Sequence, residues 1–310
     1  MEKSKALTRS QWAALAAMSW LAPLARIAET NGEMAAGKIL ILLPALLFAL
    51  LGGLLLLRIA ALSSFFDRLR DSFDFKYQLA RGLLAVYLLL ICGHLLSDIS
   101  ALWCVWAAAE SSSWLFTLLL LAILVYGLHR GSSAVMRWAV LALAALPILA
   151  VLDTLLLLPK MRWERLFLLP AQDLNWSGGF FNYLLLLLSG LPVLLWYGAL
   201  PNSRSVGAAS LGWLVSGLYL LLLVIRDSLL QGLLSTWERF PLLRSLKMVE
   251  LGVGLNRMEF LAILVLMGLM LAGVMLLAAA SREMLERISI VKREGSIIFS
   301  IIILAAAAFL

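Results

Sequence analysis

Three stretches of this chain run the thickness of a bilayer without a single charge. Ile39–Leu57 has 19 such residues, Ser205–Ile225 has 21 and Phe260–Ser281 has 22. An α-helix needs about 20 predominantly apolar residues to cross the hydrocarbon core, so each is long enough to span. Helices, which close their own backbone hydrogen bonds, are the structures such runs can adopt in lipid. The wider composition agrees: 63% of the 310 residues are hydrophobic and 14% are charged, where a soluble domain has about 25% charged. No polar stretch is long enough for a separate domain, so residues 1–310 read as a single transmembrane domain.

Further spans are less uniform. Gly82–Ala109 carries His94 and Asp98, Trp138–Leu158 carries Pro147 and Asp153, and Trp176–Leu200 is interrupted by Ser189, Gly190 and Pro192. Trp114–Leu128 and Ser296–Leu310 are short but apolar. Trp12–Arg26 follows Lys3, Lys5 and Arg9, which is also the outline of a signal peptide, but Pro23 and Arg26 fit a broken first span better. Phe240–Glu259 is amphipathic and either spans or lies at the interface. Counting both, the expectation is about ten transmembrane helices in an all-α polytopic membrane protein.

The net charge of +7 comes from Lys and Arg in short clusters between apolar runs. That placement fits segments bordering anionic lipid, and no basic-aromatic patch points to nucleic acid. By the positive-inside rule the N-terminus, Ser63–Arg81, the Arg130–Arg137 loop and Arg204 share a cytoplasmic face. Two loops dissent. Lys160–Arg165 falls outside, and so does Ser281–Gly295 if Phe240–Glu259 spans. Cys92 and Cys104 are twelve residues apart in one helix, about 18 Å and beyond disulfide reach.

Two prolines mark a candidate site. Pro23 lies inside the first apolar run, as Ser19-Trp-Leu-Ala-Pro23, and Pro192 lies inside the sixth, as Ser189-Gly-Leu-Pro192. A proline within a helix removes a backbone hydrogen bond and clashes with the carbonyl four residues back. Transporters built from inverted repeats place their sites at such paired interruptions near mid-membrane. Breaks in spans one and six match a LeuT-like five-plus-five inverted repeat, with 1–158 as the first and 176–310 as the second. The alternative is a pair of ordinary kinks held by neighbouring helices.

The candidate ligand-binding residues are Ser19, Ser189 and Gly190 at the breaks, with Tyr87 and Asp98 from the third span. His94 and Asp98, four apart, share a helix face, and form either a local pair or a ligand contact. No third ligand accompanies them for a metal. Lys247 and Glu250 line a polar path if their helix spans, or belong to an interfacial helix if it does not. Gly268 and Ala272 have the small-xxx-small spacing of close helix packing. The chain has no HExxH, GxSxG or Walker-type glycine loop, so no enzyme activity and no cofactor are expected.

Three stretches resemble the B-subunit permeases of GerA-type spore germinant receptors, in the amino acid–polyamine–organocation superfamily. They are Gly127-Leu-His-Arg-Gly-Ser-Ser-Ala-Val-Met-Arg137, Leu166–Gly178 with Leu169-Pro170, and Phe240-Pro-Leu-Leu-Arg244 followed by Leu255-Asn-Arg-Met-Glu259. The resemblance implies a ten-helix LeuT-like permease fold in the inner spore membrane. It also implies an A subunit and a lipoprotein C subunit as partners, and a small nutrient, typically an amino acid, as the trigger for germination. Where the family's first helix carries glycines, this chain has Ser19-Trp20-Leu-Ala-Pro23. The other readings are a secondary active amino-acid transporter on the same scaffold and a non-transporting assembly subunit.

Overall fold

The computed structural model describes residues 7–29, 35–107, 113–167, 176–198, 206–231, 240, 258–288 and 293–309. Twelve α-helices lie among them, and no strand does. They are α1 Arg9–Leu21, α2 Leu24–Ala28, α3 Ala35–Arg58, α4 Ala60–Asp71, α5 Phe75–Ala107, α6 Ser113–Arg130 and α7 Ser132–Leu157. Then come α8 Trp176–Leu188, α9 Leu191–Gly198, α10 Val206–Gln231, α11 Met258–Glu286 and α12 Arg293–Phe309. Among the described residues seven stretches are long and apolar enough to cross a membrane, one of them Gly178–Gly198 across α8 and α9, and Gly295–Phe309 is a shorter apolar helix.

The first helix is unlike the others. Every residue from Trp12 to Ala25 is buried, as expected of a helix apolar on all sides. Its alanines let neighbours approach closely, which matters in a bilayer because lipid is as apolar as leucine and packing must hold the helices together. Gly212 of α10 and Gly273 of α11 supply the notches. A Cβ at Gly212 would lie 2.0 Å from the Ala13 carbonyl oxygen, and one at Gly273 would lie 2.5 Å from that of Met18. Gly268, by contrast, has nothing within 4 Å of its added Cβ. Of the expected pair, Ala272 is buried and Gly268 meets nothing, and the glycine that faces α1 is Gly273.

Around this centre the outer helices turn leucines to lipid, among them Leu51 and Leu55 of α3, Leu141 and Leu155 of α7 and Leu218 of α10. The most apolar window of α11 is 72% buried, against 19% for the span that contains α7, so α11 belongs to the core and α7 to the rim.

Contacts fix the helix directions. α5 and α11 are antiparallel: Cys92 Sγ faces the Val274 carbonyl at 3.6 Å, and Arg81 donates to the Arg287 carbonyl at 2.5 Å. α11 therefore ends beside the start of α5, on the face that also carries α4, Arg130 and Arg137. This direction is opposite to the one a crossing by Phe240–Glu259 would give it. Arg282 and Arg287 move to the basic face, the second dissenting loop disappears, and the positive-inside rule makes that face cytoplasmic. Residues 241–257 lie outside the described residues.

The other dissenting loop stays on the opposite face and has a local explanation. It forms two short 3₁₀ turns, Leu158–Lys160 and Trp163–Phe167, the second against the end of α10. Arg165 donates to the Leu230 carbonyl, and the Arg162 N–H donates to that of Leu229 at 3.1 Å. A cation on the last carbonyls of a helix offsets the negative end of its dipole.

Candidate functional site

Both expected interruptions are present, and the local chemistry accounts for each. α1 stops at Leu21, and Ala22-Pro23 turn the chain into α2. Pro23 has no N–H for the Ser19 carbonyl four residues back. α8 stops at Leu188, Ser189-Gly190 form a turn, and α9 starts at Leu191. Pro192 then occupies the first turn of α9, where a missing N–H costs nothing. Pro44 and Pro147 sit inside continuous helices, so proline alone does not make a break.

The two breaks meet. A Cβ built on Gly190 would stand 2.4 Å from Ser19 Cβ and 3.1 Å from its Cα. Ser19, Ser189 and Gly190, from helices distant in sequence, are thus brought to one buried place. Their hydroxyls are engaged locally: Ser19 Oγ donates to the Ala16 carbonyl at 2.7 Å and Ser189 Oγ to that of Leu186 at 2.6 Å. Trp213 Nε1 reaches Ser19 Oγ at 3.4 Å. Its ring stacks on Trp20 with centroids 5.8 Å apart, and this pair fills the space beside the break between α1, α3 and α10.

Other candidates fall elsewhere. Tyr87 is 48% exposed on the outer surface of α5, on the same exposed stripe as His94, and does not join the breaks. Asp98 sits towards the non-cytoplasmic end, where its carboxylate lies 3.6 Å from Arg26 Nη1; Arg26 also pairs with Glu29 at 3.2 Å. The buried Lys38 donates to the carbonyls of Ile27, at 3.4 Å, and Glu29, tying the end of α2 to the start of α3. Lys247 and Glu250 lie outside the described residues.

The structure adds two polar clusters that hydropathy had left unmarked. Arg226 and Asp227, just past the run Ser205–Ile225, form a buried pair at 2.9 Å near the outer end of α10. On the cytoplasmic face, Glu283 of α11 lies beside Ser132 of α7 and Trp196 of α9. Arg287 lies 5.7 Å over the Trp196 ring, and Arg282 pairs with Glu286 at 2.7 Å while donating to the Leu128 carbonyl. Arg70 of α4 faces the same cluster; burial, and then the like charge of Arg287, hold its pKa below the usual arginine value. The available signal was the charged sequence Arg282-Glu-Met-Leu-Glu-Arg287, directly after an apolar run.

The apolar helices and the leucine-covered rim define an integral membrane protein with two interrupted helices in contact at its centre. A family model of spore germination proteins, the spore permeases, matches residues 25–310, and the chain belongs to that family. No curated protein matches the chain.

Proposed function

We propose that the chain is the permease-like, ligand-sensing membrane subunit of a spore germinant receptor. The observation that carries this reading is the contact between the two interrupted helices at Ser19 and Gly190, in a member of a spore germination family. α1 leaves the cytoplasmic face and α9 returns to it, since Gly198 at the end of α9 meets the Trp12 ring at the start of α1. Antiparallel broken helices are what an inverted, LeuT-like repeat places around its site. In this reading α1–α2 and α8–α9 are corresponding members of the two repeats.

A small nutrient, an amino acid by preference, docks where the breaks meet once the Ser189–Gly190 turn moves off Ser19. Interrupted helices suit a carboxylate, because half-helix N-termini and freed backbone groups supply donors. Binding favours the opened state by its differential affinity, and the shift passes to an A subunit and a lipoprotein C subunit in the inner spore membrane or releases ions. The role is recognition, without catalysis or a cofactor.

The closed packing around Trp20 and Trp213 favours this reading over steady amino-acid transport. Reconstitution tests it. Amino acids should bind the purified chain and raise its melting temperature in proteoliposomes without gradient-driven uptake. Robust uptake by the chain alone would make it a secondary transporter. Absence of binding, with germination still dependent on the chain in spores, would make it an assembly subunit.

A further inference from the structure

We infer that the outer stripe of α5 seats a transmembrane helix of a partner protein, which hydrogen-bonds to Tyr87 and His94. Leu79, Leu83, Tyr87, Leu90 and His94 recur every three or four residues and are all exposed, so they share one face of the helix. Arg81 marks the cytoplasmic end of α5, and Asp98, paired with Arg26, marks the other. The helix rises about 25 Å between them, so the tyrosine and the histidine both lie inside the hydrocarbon layer, which is about 30 Å thick. Among the described residues neither side chain makes a hydrogen bond. Polar and ionisable groups at such depth are costly and almost always face protein rather than lipid. α3, by contrast, turns Leu47 and Leu51 outward.

The helix packing, which rests on the inverted-repeat reading above, points to the same place. α10 packs on α1 as α3 packs on α8, and α6 packs on α5 as α12 packs on α11. α7 stands against α1 and α11, so its counterpart would stand against α8–α9 and α5. Among the described residues no helix fills that position, and α5 leaves its stripe open there. The stretch between α10 and α11 joins two ends on the non-cytoplasmic face. It is shorter than the two crossings, about 40 residues, that reaching this place and returning would take. The occupant is a helix of another chain. α7 runs away from the cytoplasmic face, so the counterpart runs towards it, antiparallel to α5. Its groups that meet Tyr87 and His94 lie two turns apart, about 10 Å. Small residues let the backbones approach, and Ser, Thr, Asn or Gln at that spacing on one face supply the hydrogen bonds.

The test uses the full chain in native membranes, with the photoreactive residue p-benzoylphenylalanine in place of Leu90, on the stripe, or of Leu141, on the lipid-facing side of α7. Irradiation should join position 90 to a membrane-spanning peptide of another protein, which mass spectrometry of the adduct identifies and which carries polar side chains two turns apart. Position 141 should give lipid adducts. Tyr87→Phe and His94→Leu should each lower the yield from position 90 about threefold, the scale of one hydrogen bond inside a membrane. Tyr87→Phe removes a single oxygen atom, so it keeps the test open if His94→Leu fails to accumulate. Lipid adducts alone at position 90, a cross-link to a second copy of this chain, or one to another segment of the same copy would overturn the partner helix. A protein adduct whose yield ignores both substitutions would overturn it too. The readout involves no nutrient, so its failure is distinguishable from failure of the sensor reading.

Discussion

Gly190 rests on Ser19: a methyl group on the first would stand 2.4 Å from the Cβ of the second. Such an approach is possible only with glycine on one side, and it is the point at which two broken helices support each other. Gly190→Ala should therefore destabilise the folded chain by about 1–3 kcal/mol, the range for inserting a methyl into a filled core. Ser19→Gly removes the opposing Cβ, so the double variant should recover much of that loss. Melting temperatures of the four proteins in detergent close the cycle. An additive double variant would show that the two residues do not share this contact.

The Trp20–Trp213 stack lies beside the first break, Trp20 on α1 and Trp213 on α10. Trp213 is enclosed: a Cβ at Gly53 would come within 2.7 Å of its ring, and its indole reaches Ser19 Oγ. Trp213→Ala should cost about 3–5 kcal/mol, as buried tryptophan truncations do, and leave an apolar cavity beside the breaks. Added indole should then raise the melting temperature of the variant and leave wild type unchanged, since a ligand stabilises only the state that binds it. No response to indole would mean that the site collapses around the loss.

How far the residues alone foretold this arrangement depends on what kind of signal each feature leaves. The breaks were legible because Pro23 and Pro192 sit beside small residues inside apolar runs, and the backbone responds locally. Pro147, in a similar run with leucine and alanine neighbours, stays inside a continuous helix, so the proline alone did not decide where a break falls. The direction of α11 was not legible from hydropathy: a run is equally apolar in either direction, and the Cys92–Val274 and Arg81–Arg287 contacts across the bundle decide it. Tyr87 was misplaced for a related reason. Its span has apolar residues on every side and no single polar stripe to separate the face that packs from the outer face, where Tyr87 is 48% exposed. Glu283 went unnoticed because its neighbours, Ser132 and Trp196, are far away in the chain.

Arg26 and Asp98 join α2 to α5 on the non-cytoplasmic face, at 3.6 Å, with Arg26 also held by Glu29 at 3.2 Å. The arginine side chain is 47% exposed, so water and salt screen the pair. A double-mutant cycle of Arg26→Ala and Asp98→Asn should give a coupling below about 1 kcal/mol, shrinking further as salt is raised. A coupling several times larger and insensitive to salt would mean that the pair is shielded in the membrane.

The three glycines of α10 and α11 discussed above separate packing from spacing. Gly212 and Gly273 face α1, where an added Cβ would lie 2.0 Å from the Ala13 oxygen and 2.5 Å from the Met18 oxygen. Backbone carbonyls cannot rotate aside as a side chain can, so the helices must separate. In lipid that separation forfeits the packing that holds them together. Gly268 lies on the same helix as Gly273 with open space around it. Alanine there should be neutral or stabilising by up to about 1 kcal/mol, the difference in helix propensity. The expected order of folded yield, read by fluorescence-detected size exclusion after heating, is Gly268→Ala at or above wild type, with Gly212→Ala and Gly273→Ala far below it. If Gly268→Ala were the damaging change, α11 would turn a different face to α1, and the notch that seats the first broken helix would have to be redrawn.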